Sequence, residues 1–388
     1  MYRIGNEEVE AVRRVIESKQ LFKVNNGPLQ ESVNAEKELS AMMGTDYAII
    51  MTSGHAALVS ALVGLGIGPG DQVIIPAYTY IATAIAVLEA GAIPVIAEID
   101  DSLTLDPKDV EKKITKNTKA IIPVHIKGFP SDMQSICDIA KKHGIYVVED
   151  ACQADGASFK GRRLGSWGDA GAFSFNYYKI ISMGEGGALI TSNRQVFERG
   201  LIYHDSSACA YFGKQIDDFT SNTFCGSEYR TNEISCAILR EQLKKLDGIM
   251  ADLRRNKKYL MDNLKDVCGF IRSNDIDGDL GTTLAMYFDT KEEAERVAEI
   301  VGGTVPFHTK KHVYYDWKPL LQKRGAHHPA LDPFNLKENQ GIIPEYREDM
   351  CPKSLEHLAR AVYIEINPEW TKEELDEKVA LVKSAFAK

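Results

Sequence analysis

A lysine can hold a carbonyl cofactor as an imine only where its amine is kept unprotonated in an enclosed site. Lys179 has the best setting for this in the sequence. It follows the apolar run Gly171 to Phe175 and precedes the glycine-dense turn Gly184-Glu185-Gly186-Gly187, which lets backbone approach a ligand closely. Taken alone it reads better as an ordinary surface lysine. Asp150 narrows the choice, because it ends the apolar run Tyr146 to Glu149 and so falls at the carboxyl end of a buried strand, where α/β folds place their ligands. A carboxylate there can keep a pyridine-type ring nitrogen protonated and the ring an electron sink, or it can cap the next helix. The third element is Ser53-Gly54-His55-Ala56-Ala57-Leu58, a Ser-Gly turn that opens a helix. Its free amides and positive dipole end suit a phosphate, and a capped core helix is the other reading. The fourth is Pro76-Ala77-Tyr78-Thr79-Tyr80, which leaves another strand with two aromatics that either face a flat ring or pack in the core.

The elements that must position these residues alternate. Apolar runs at Tyr47 to Met51, Gln72 to Pro76, Pro94 to Glu98, Ala120 to Val124, Tyr146 to Glu149, Ala170 to Phe175 and Ala188 to Thr191 are separated by helical patterns. This predicts an α/β fold with a mainly parallel seven-stranded sheet, its strands buried on both faces. From Glu228 to about Leu264 the pattern turns helical, with Ile234, Ile238, Leu239, Leu243 and Leu246 in phase. Beyond it we expect a strand (Thr283 to Asp289), a helix (Lys291 to Ile300), an irregular section (Val305 to Glu345) and a final helix (Lys372 to Phe386). The division expected is 1–245 for a large ligand-binding domain and 246–388 for a smaller α+β domain.

Composition closes off other classes. The net charge of −9 over 388 residues provides no basic face for nucleic acid. No apolar run has the length of a membrane span, and Met1 to Glu10 is mixed and charged, so a cytoplasmic protein without membrane partners is expected. The seven cysteines are scattered without a CxxC pair, which suggests reduced thiols and no zinc site. Adjacent His327 and His328 lack the spacing of a metal pair.

In order and spacing these elements resemble the DegT/StrS family of pyridoxal-phosphate (PLP) sugar aminotransferases, from Gly5 nearly to the C-terminus. Gly5-Asn6-Glu7-Glu8, Val124-His125, Val148-Glu149-Asp150-Ala151-Cys152-Gln153, Phe173-Ser174-Phe175 four residues before Lys179, and Gln242-Leu243-Lys244-Lys245-Leu246-Asp247 carry the likeness. The resemblance implies an aspartate-aminotransferase-like fold, a homodimer with shared active sites, and PLP held on Lys179 as a Schiff base, with Lys179 also moving the proton. It implies Asp150 at the ring nitrogen, Tyr80 and Cys152 on the two ring faces, Gln153 at the ring hydroxyl, and Ser174 with the Gly54 and His55 amides at the phosphate. Glutamate or glutamine is the implied donor. A keto or aldehyde sugar is the implied acceptor: a nucleotide-linked hexose, a cyclitol, or an octulosonate-type acid, whose enzymes the segment His308 to Trp317 resembles.

Two positions depart from the family pattern. His55 stands where Thr is usual, and Glu228, in Gly226-Ser227-Glu228-Tyr229-Arg230, stands where Asn usually reaches the neighbouring cofactor phosphate. A carboxylate there must turn away or be screened by a cation such as Arg230 or His55. His125, Arg230, His312 and Tyr315 are the candidate substrate contacts, with Lys310 and Lys311 as further options for an acidic group. Family members with histidine in place of the lysine are dehydratases, so Lys179 favours transamination. A dehydratase or epimerase, and a catalytically silent homologue, are the alternatives.

Overall fold

The computed structural model describes residues 2–25, 27–209 and 219–387. The helices of the first part of the chain are α1 (Asn6–Ser18), α2 (Glu31–Met43), α3 (Gly54–Gly64), α4 (Ala82–Glu89), α5 (Pro107–Lys113), α6 (Met133–His143) and α7 (Arg194–His204). Its strands are β1 (Tyr47–Met51), β2 (Gln72–Pro76), β3 (Ile93–Ala97), β4 (Thr118–Ile121), β5 (Tyr146–Asp150), the short hairpin β6 (Ser158–Phe159) and β7 (Arg162–Arg163), β8 (Ala170–Ser174) and β9 (Gly187–Thr191). Seven of these make one sheet in the order β1-β9-β8-β5-β4-β2-β3. Strand β9 runs antiparallel to both its neighbours, and the other pairs are parallel. Six strands therefore end on one edge of the sheet, and β9 starts there.

Successive side chains of a strand point to opposite faces, and both faces are apolar here. Ile50, Ile74, Val147 and Ile190 enter one core with residues of α2 and α6. Ile49, Val73, Val148 and Leu189 enter the other with residues of α3, α4 and α7. The unbroken apolar runs of the sequence have this cause. One expected strand is shorter than its run: β4 stops at Ile121, although the apolar pattern continues to Val124. Pro123 has no N–H to give a ladder, and its carbonyl instead accepts from Asp150 N at 2.9 Å.

Helix α8 (Glu233–Leu264) starts later than the sequence pattern suggests, at the Asn232 cap, whose side chain accepts from Ser235 N. Residues 245 and 246 both lie inside it. Its early residues hold the N-terminal helices: Arg240 pairs with Glu31 and Glu38 of α2, and Lys245 with Glu8 of α1. Its later residues meet the C-terminal part, where Lys257 pairs with Asp279 at 2.7 Å. That part has a three-stranded antiparallel sheet of β10 (Gly269–Phe270), β11 (Thr283–Tyr287) and β12 (Ala361–Glu365). Around it lie α9 (Lys291–Val301), α10 (Lys318–Leu321), α11 (Pro352–Ala359) and α12 (Lys372–Ser384). The sequence reading finds only β11 of these strands. β10 is two residues long, and Ala361 to Ile364 is a short apolar run that periodicity cannot assign. No described helix is long and apolar enough to cross a membrane, and among the described residues no cluster of three His, Cys, Asp or Glu could hold a metal.

Behind β5 the fully buried carboxylate of Glu149 ties three segments together. It accepts from Gly165 N at 2.7 Å, Gly168 N at 2.8 Å and His125 Nε2 at 3.1 Å. An amide in place of this carboxylate would turn an N–H toward one of these donors. Glu149→Gln is expected to cost about 2 kcal/mol, read as a lower denaturant midpoint at an unchanged m-value.

Candidate active site

The edge where six strands end opens into a cleft of about 460 Å³ lined by residues from both parts of the chain. Ser53 caps α3 with extended backbone, and its hydroxyl accepts from Ala56 N at 3.0 Å. Its carbonyl takes Ala57 N at 3.1 Å. The amides of Gly54 and His55, in the first turn, are those that helix geometry leaves for a ligand. Gly54 has no space for a side chain: an added Cβ would lie 2.6 Å from Cys152 Sγ and 3.0 Å from Ser174 Cβ. A Cβ on Gly187, at the start of β9, would lie 2.3 Å from the Ser53 carbonyl carbon. The two glycines let the helix start press against the ends of β8 and β9. The glycine-dense turn identified in the sequence thus serves close approach of backbone to backbone.

Asp150 is nearly buried at the end of β5. Its Oδ2 accepts from Thr83 Oγ1 at 2.8 Å, and its Oδ1 accepts from Cys152 N at 3.2 Å. Thr83, on α4, was not singled out in the sequence, because nothing local marks a partner 67 residues from Asp150. Burial, then the Asp150 charge, push the Cys152 thiol well above its usual range. Gln153 Oε1 accepts from Lys127 N at 3.0 Å. Lys127 has left-handed backbone (φ 55°) and pairs across the cleft with Glu365 of β12 at 2.5 Å. Lys179 lies on the loop between β8 and β9, half-buried, and lines the cleft.

The far wall is the segment 309–313. Backbone bonds join it to the loop after β2, from Thr79 N to His312 O at 2.9 Å and from Ile81 N to Lys311 O at 3.0 Å. The Tyr80 ring sits between them, 5.6 Å from the His312 ring and 5.4 Å from Lys311 Nζ. Burial first, then Lys127 and Lys311, lower the His312 pKa to about 4, so a neutral imidazole faces the cleft near pH 7.

Of the residues singled out from the sequence, Gly54, His55, Tyr80, Asp150, Cys152, Gln153, Ser174, Lys179 and His312 line this one cleft. Three suggested substrate contacts do not. His125 is fully buried, accepting from Ser131 N at 3.2 Å through Nδ1 and facing Glu149 through Nε2, an arrangement that places its proton on Nε2. Tyr315 gives its hydroxyl to Phe307 O at 2.6 Å and packs with its ring tilted against that of Phe307. Arg230 bridges to β1 and pairs with Glu228 Oε2 at 2.8 Å, so the unusual carboxylate is neutralised by the arginine two residues on. The His55 imidazole turns to Glu89 Oε2 at 2.7 Å, and Glu89 also accepts from the Tyr229 hydroxyl. Besides Thr83, the sequence reading passed over Lys127, Glu365 and Asp155. Asp155 left a trace, as a lone acid in the small-residue run Ala151 to Ala157.

A model of the DegT/DnrJ/EryC1/StrS aminotransferase family matches residues 2–383. The chain belongs to this family. It is similar to the dTDP-3-amino-3,4,6-trideoxy-alpha-D-glucose transaminase of Streptomyces venezuelae, with 40% identity over 61% of this chain and 60% of that protein. It is also similar to the L-glutamine:2-deoxy-scyllo-inosose aminotransferase of Streptomyces kanamyceticus, with 34% identity over 70% of this chain and 65% of that protein. The matched stretches thus span under two thirds of these relatives' lengths. Over nearly the whole chain it superposes on S. venezuelae DesV in complex with a ketimine intermediate (29% identity, TM-score 0.76, 99% of this chain and 95% of that one). The fold is the aspartate-aminotransferase-like one expected from the sequence.

PLP is the cofactor of the DegT/DnrJ/EryC1/StrS family, and the residues of the cleft fit it. The α3 start offers amides for a phosphate, a fixed carboxylate stands on the floor, an aromatic ring stands at the wall, and a lysine is within the same space. The tight contact at Gly54 yields a prediction. Gly54→Ala is expected to cost about 1–3 kcal/mol through overpacking. Because the nearest atom is Cys152 Sγ, adding Cys152→Ala should recover part of that loss, a coupling measurable in a double-mutant cycle by denaturant unfolding.

Proposed function

We propose that the protein is a PLP-dependent aminotransferase that takes nitrogen from glutamate or glutamine and delivers it to the carbonyl of a sugar or cyclitol. The observation that carries this reading is the gathering of Lys179, Asp150, Ser174 and the α3 start in one cleft, from separate strand ends. The relatives' names support the reaction class: one acts on a dTDP-linked deoxysugar and the other on an inosose, with L-glutamine in its name.

When bound, PLP supplies an electron sink for the carbon that loses or gains nitrogen. The chain's own residues do the rest. Asp150, fixed by Thr83 and by Cys152 N, would hold the proton of the ring nitrogen. The Gly54 and His55 amides and the Ser174 hydroxyl bind the phosphate. Tyr80 and Cys152, a neutral thiol, line the cleft where they would flank the ring. Gln153 keeps its Nε2 for the ring hydroxyl while Oε1 is engaged by Lys127 N. Lys179 would anchor the cofactor through Nζ, and its amine, when free, would be the group placed to hold or move a proton at the substrate carbon. His312 presents an uncharged imidazole to the substrate.

The second part of the proposal is a homodimer whose sites are completed across its interface. Exposed apolar side chains support it: Val9 and Ile16 on α1, Leu21 and Phe22 after it, and Tyr177 and Tyr178 beside Lys179. The Glu228–Arg230 pair stands outside the cleft of its own chain, where it can face a partner's.

The test begins with reconstitution. Added PLP should give a visible absorption band that borohydride removes, and Lys179→Ala should lack it. With ¹⁵N-labelled glutamate or glutamine and a panel of keto-sugars, nitrogen should reach the sugar, and Lys179→Ala should slow that transfer by about 10²–10⁴-fold or more. A protein that ignores PLP, or that removes a hydroxyl from every acceptor without delivering nitrogen, overturns the reading. Sedimentation analysis should give twice the chain mass, and a monomer that is fully active would refute the shared site.

A further inference from the structure

The loop after β4 and the end of β12 meet through a charged pair whose side chains have no role in the steps above. Lys127 Nζ donates to Glu365 Oε1 at 2.5 Å, with the two side chains 29% and 50% exposed. Both residues line the cleft together with Lys179. An ion pair this open to water adds little to the stability of a fold. The backbone nevertheless holds it in place. Lys127 takes the left-handed conformation (φ 55°), which costs free energy in a residue with a side chain. Its N–H goes to Gln153 Oε1 at 3.0 Å, and its carbonyl accepts from Thr282 Oγ1 at 2.7 Å. Glu365 closes β12, and its Oε2 accepts from Thr283 Oγ1 at 3.3 Å. An ammonium has three protons to give and a carboxylate about four lone pairs to receive them. Among the described residues Nζ makes no hydrogen bond besides the one to Glu365. A donor and an acceptor with capacity to spare thus stand side by side in the cleft.

Such a pair carries no net charge, so it suits a neutral ligand. An anion that reached Lys127 would also meet the Glu365 carboxylate, and the repulsion would offset the attraction. Two hydroxyls on neighbouring carbons match the pair, one accepting from the ammonium and the other donating to the carboxylate. The place of the pair in the reaction follows from Gln153. In PLP the ring hydroxyl and the reactive aldehyde stand on adjacent ring carbons. A residue whose N–H is bonded to the side chain meant for that hydroxyl therefore lies beside the point where the acceptor's carbonyl must arrive. We propose that Lys127 and Glu365 are specificity-determining residues for the acceptor: together they bind a vicinal diol close to its carbonyl, and so select a polyhydroxylated ketone over a deoxygenated one. The inference rests on the cleft receiving a carbonyl sugar or cyclitol, as proposed above.

The probes are keto-sugars and cyclitol ketones, each taken with the analogue that lacks one hydroxyl of the diol nearest the carbonyl. Binding to the full chain with PLP added is read by ligand-observed NMR titration, and amino transfer gives KM and kcat for the same compounds. The parent should bind a diol-bearing probe about tenfold or more tightly than its deoxy analogue, because a site built to hydrogen-bond a hydroxyl rejects a ligand that leaves its groups unpaired. Lys127→Met and Glu365→Gln should each weaken the diol-bearing probe by about tenfold and the deoxy analogue by less than about twofold, which erases the preference. KM for the acceptor should rise with it, while kcat and the KM for the donor stay within about twofold. A pair that only ties the two parts of the chain together would lower the melting temperature and shift both members of each probe pair alike. If Lys127→Met does not fold, Lys127→Asn, which tolerates left-handed backbone, takes its place. A parent that binds none of the probes, or that binds both members of each pair equally, overturns the proposal, as does a preference that survives in the variants. A rise in the KM of the donor in place of the acceptor also overturns it, since Lys127 would then serve the donor carboxylate. A diol preference without delivery of nitrogen upholds the proposal and rejects the aminotransferase reading, whereas delivery of nitrogen without the preference rejects the proposal alone.

Discussion

The structure depends on one close approach. The first turn of α3 lies against the ends of β8 and β9 with no room for a Cβ at Gly54 or Gly187. That contact fixes where the helix points its amides, and it sets Ser174 and Cys152 beside them. Lys179 follows β8 by only five residues, so its reach into the cleft is limited by the same anchor. A cleft built this way is shaped by backbone packing more than by side-chain choice. This is why His55 can stand where a hydroxyl is usual: its amide position comes from the helix, while its imidazole is engaged elsewhere with Glu89.

Burial decides the charge states inside the cleft. The Cys152 thiol and the His312 imidazole are both held neutral, the first by burial and Asp150, the second by burial and two lysines. Asp150 accepts from two donors, and Lys127 pairs with Glu365. In a poorly solvated space a charge acts strongly on its neighbours.

Much of this was legible in the sequence because it is local. Continuous apolar runs marked the buried strands, and the residues at their ends or just past them, Ser53, Tyr80, Asp150 and Ser174, marked the cleft, since parallel strands deliver their ends to one edge. What escaped was long-range. Thr83 meets Asp150, and Glu365 meets Lys127, through contacts that no short motif encodes. His125 misled for a related reason. A histidine just after a strand resembles a site residue, yet both its ring nitrogens are taken up by Ser131 N and Glu149. β12 was missed because a short apolar run has no period to read.

The wall formed by residues 309–313 sets how the cleft admits its ligands. Backbone bonds at Thr79, Ile81 and Tyr314 join it to the loop after β2. On the other side, Thr282 Oγ1 binds Lys127 O at 2.7 Å and Leu280 N binds Gly128 O at 3.2 Å. Swinging the C-terminal part away would break all of these at once. The groove therefore has a set gauge. Tyr80, Lys311 and Lys127 line the groove whose width these bonds hold.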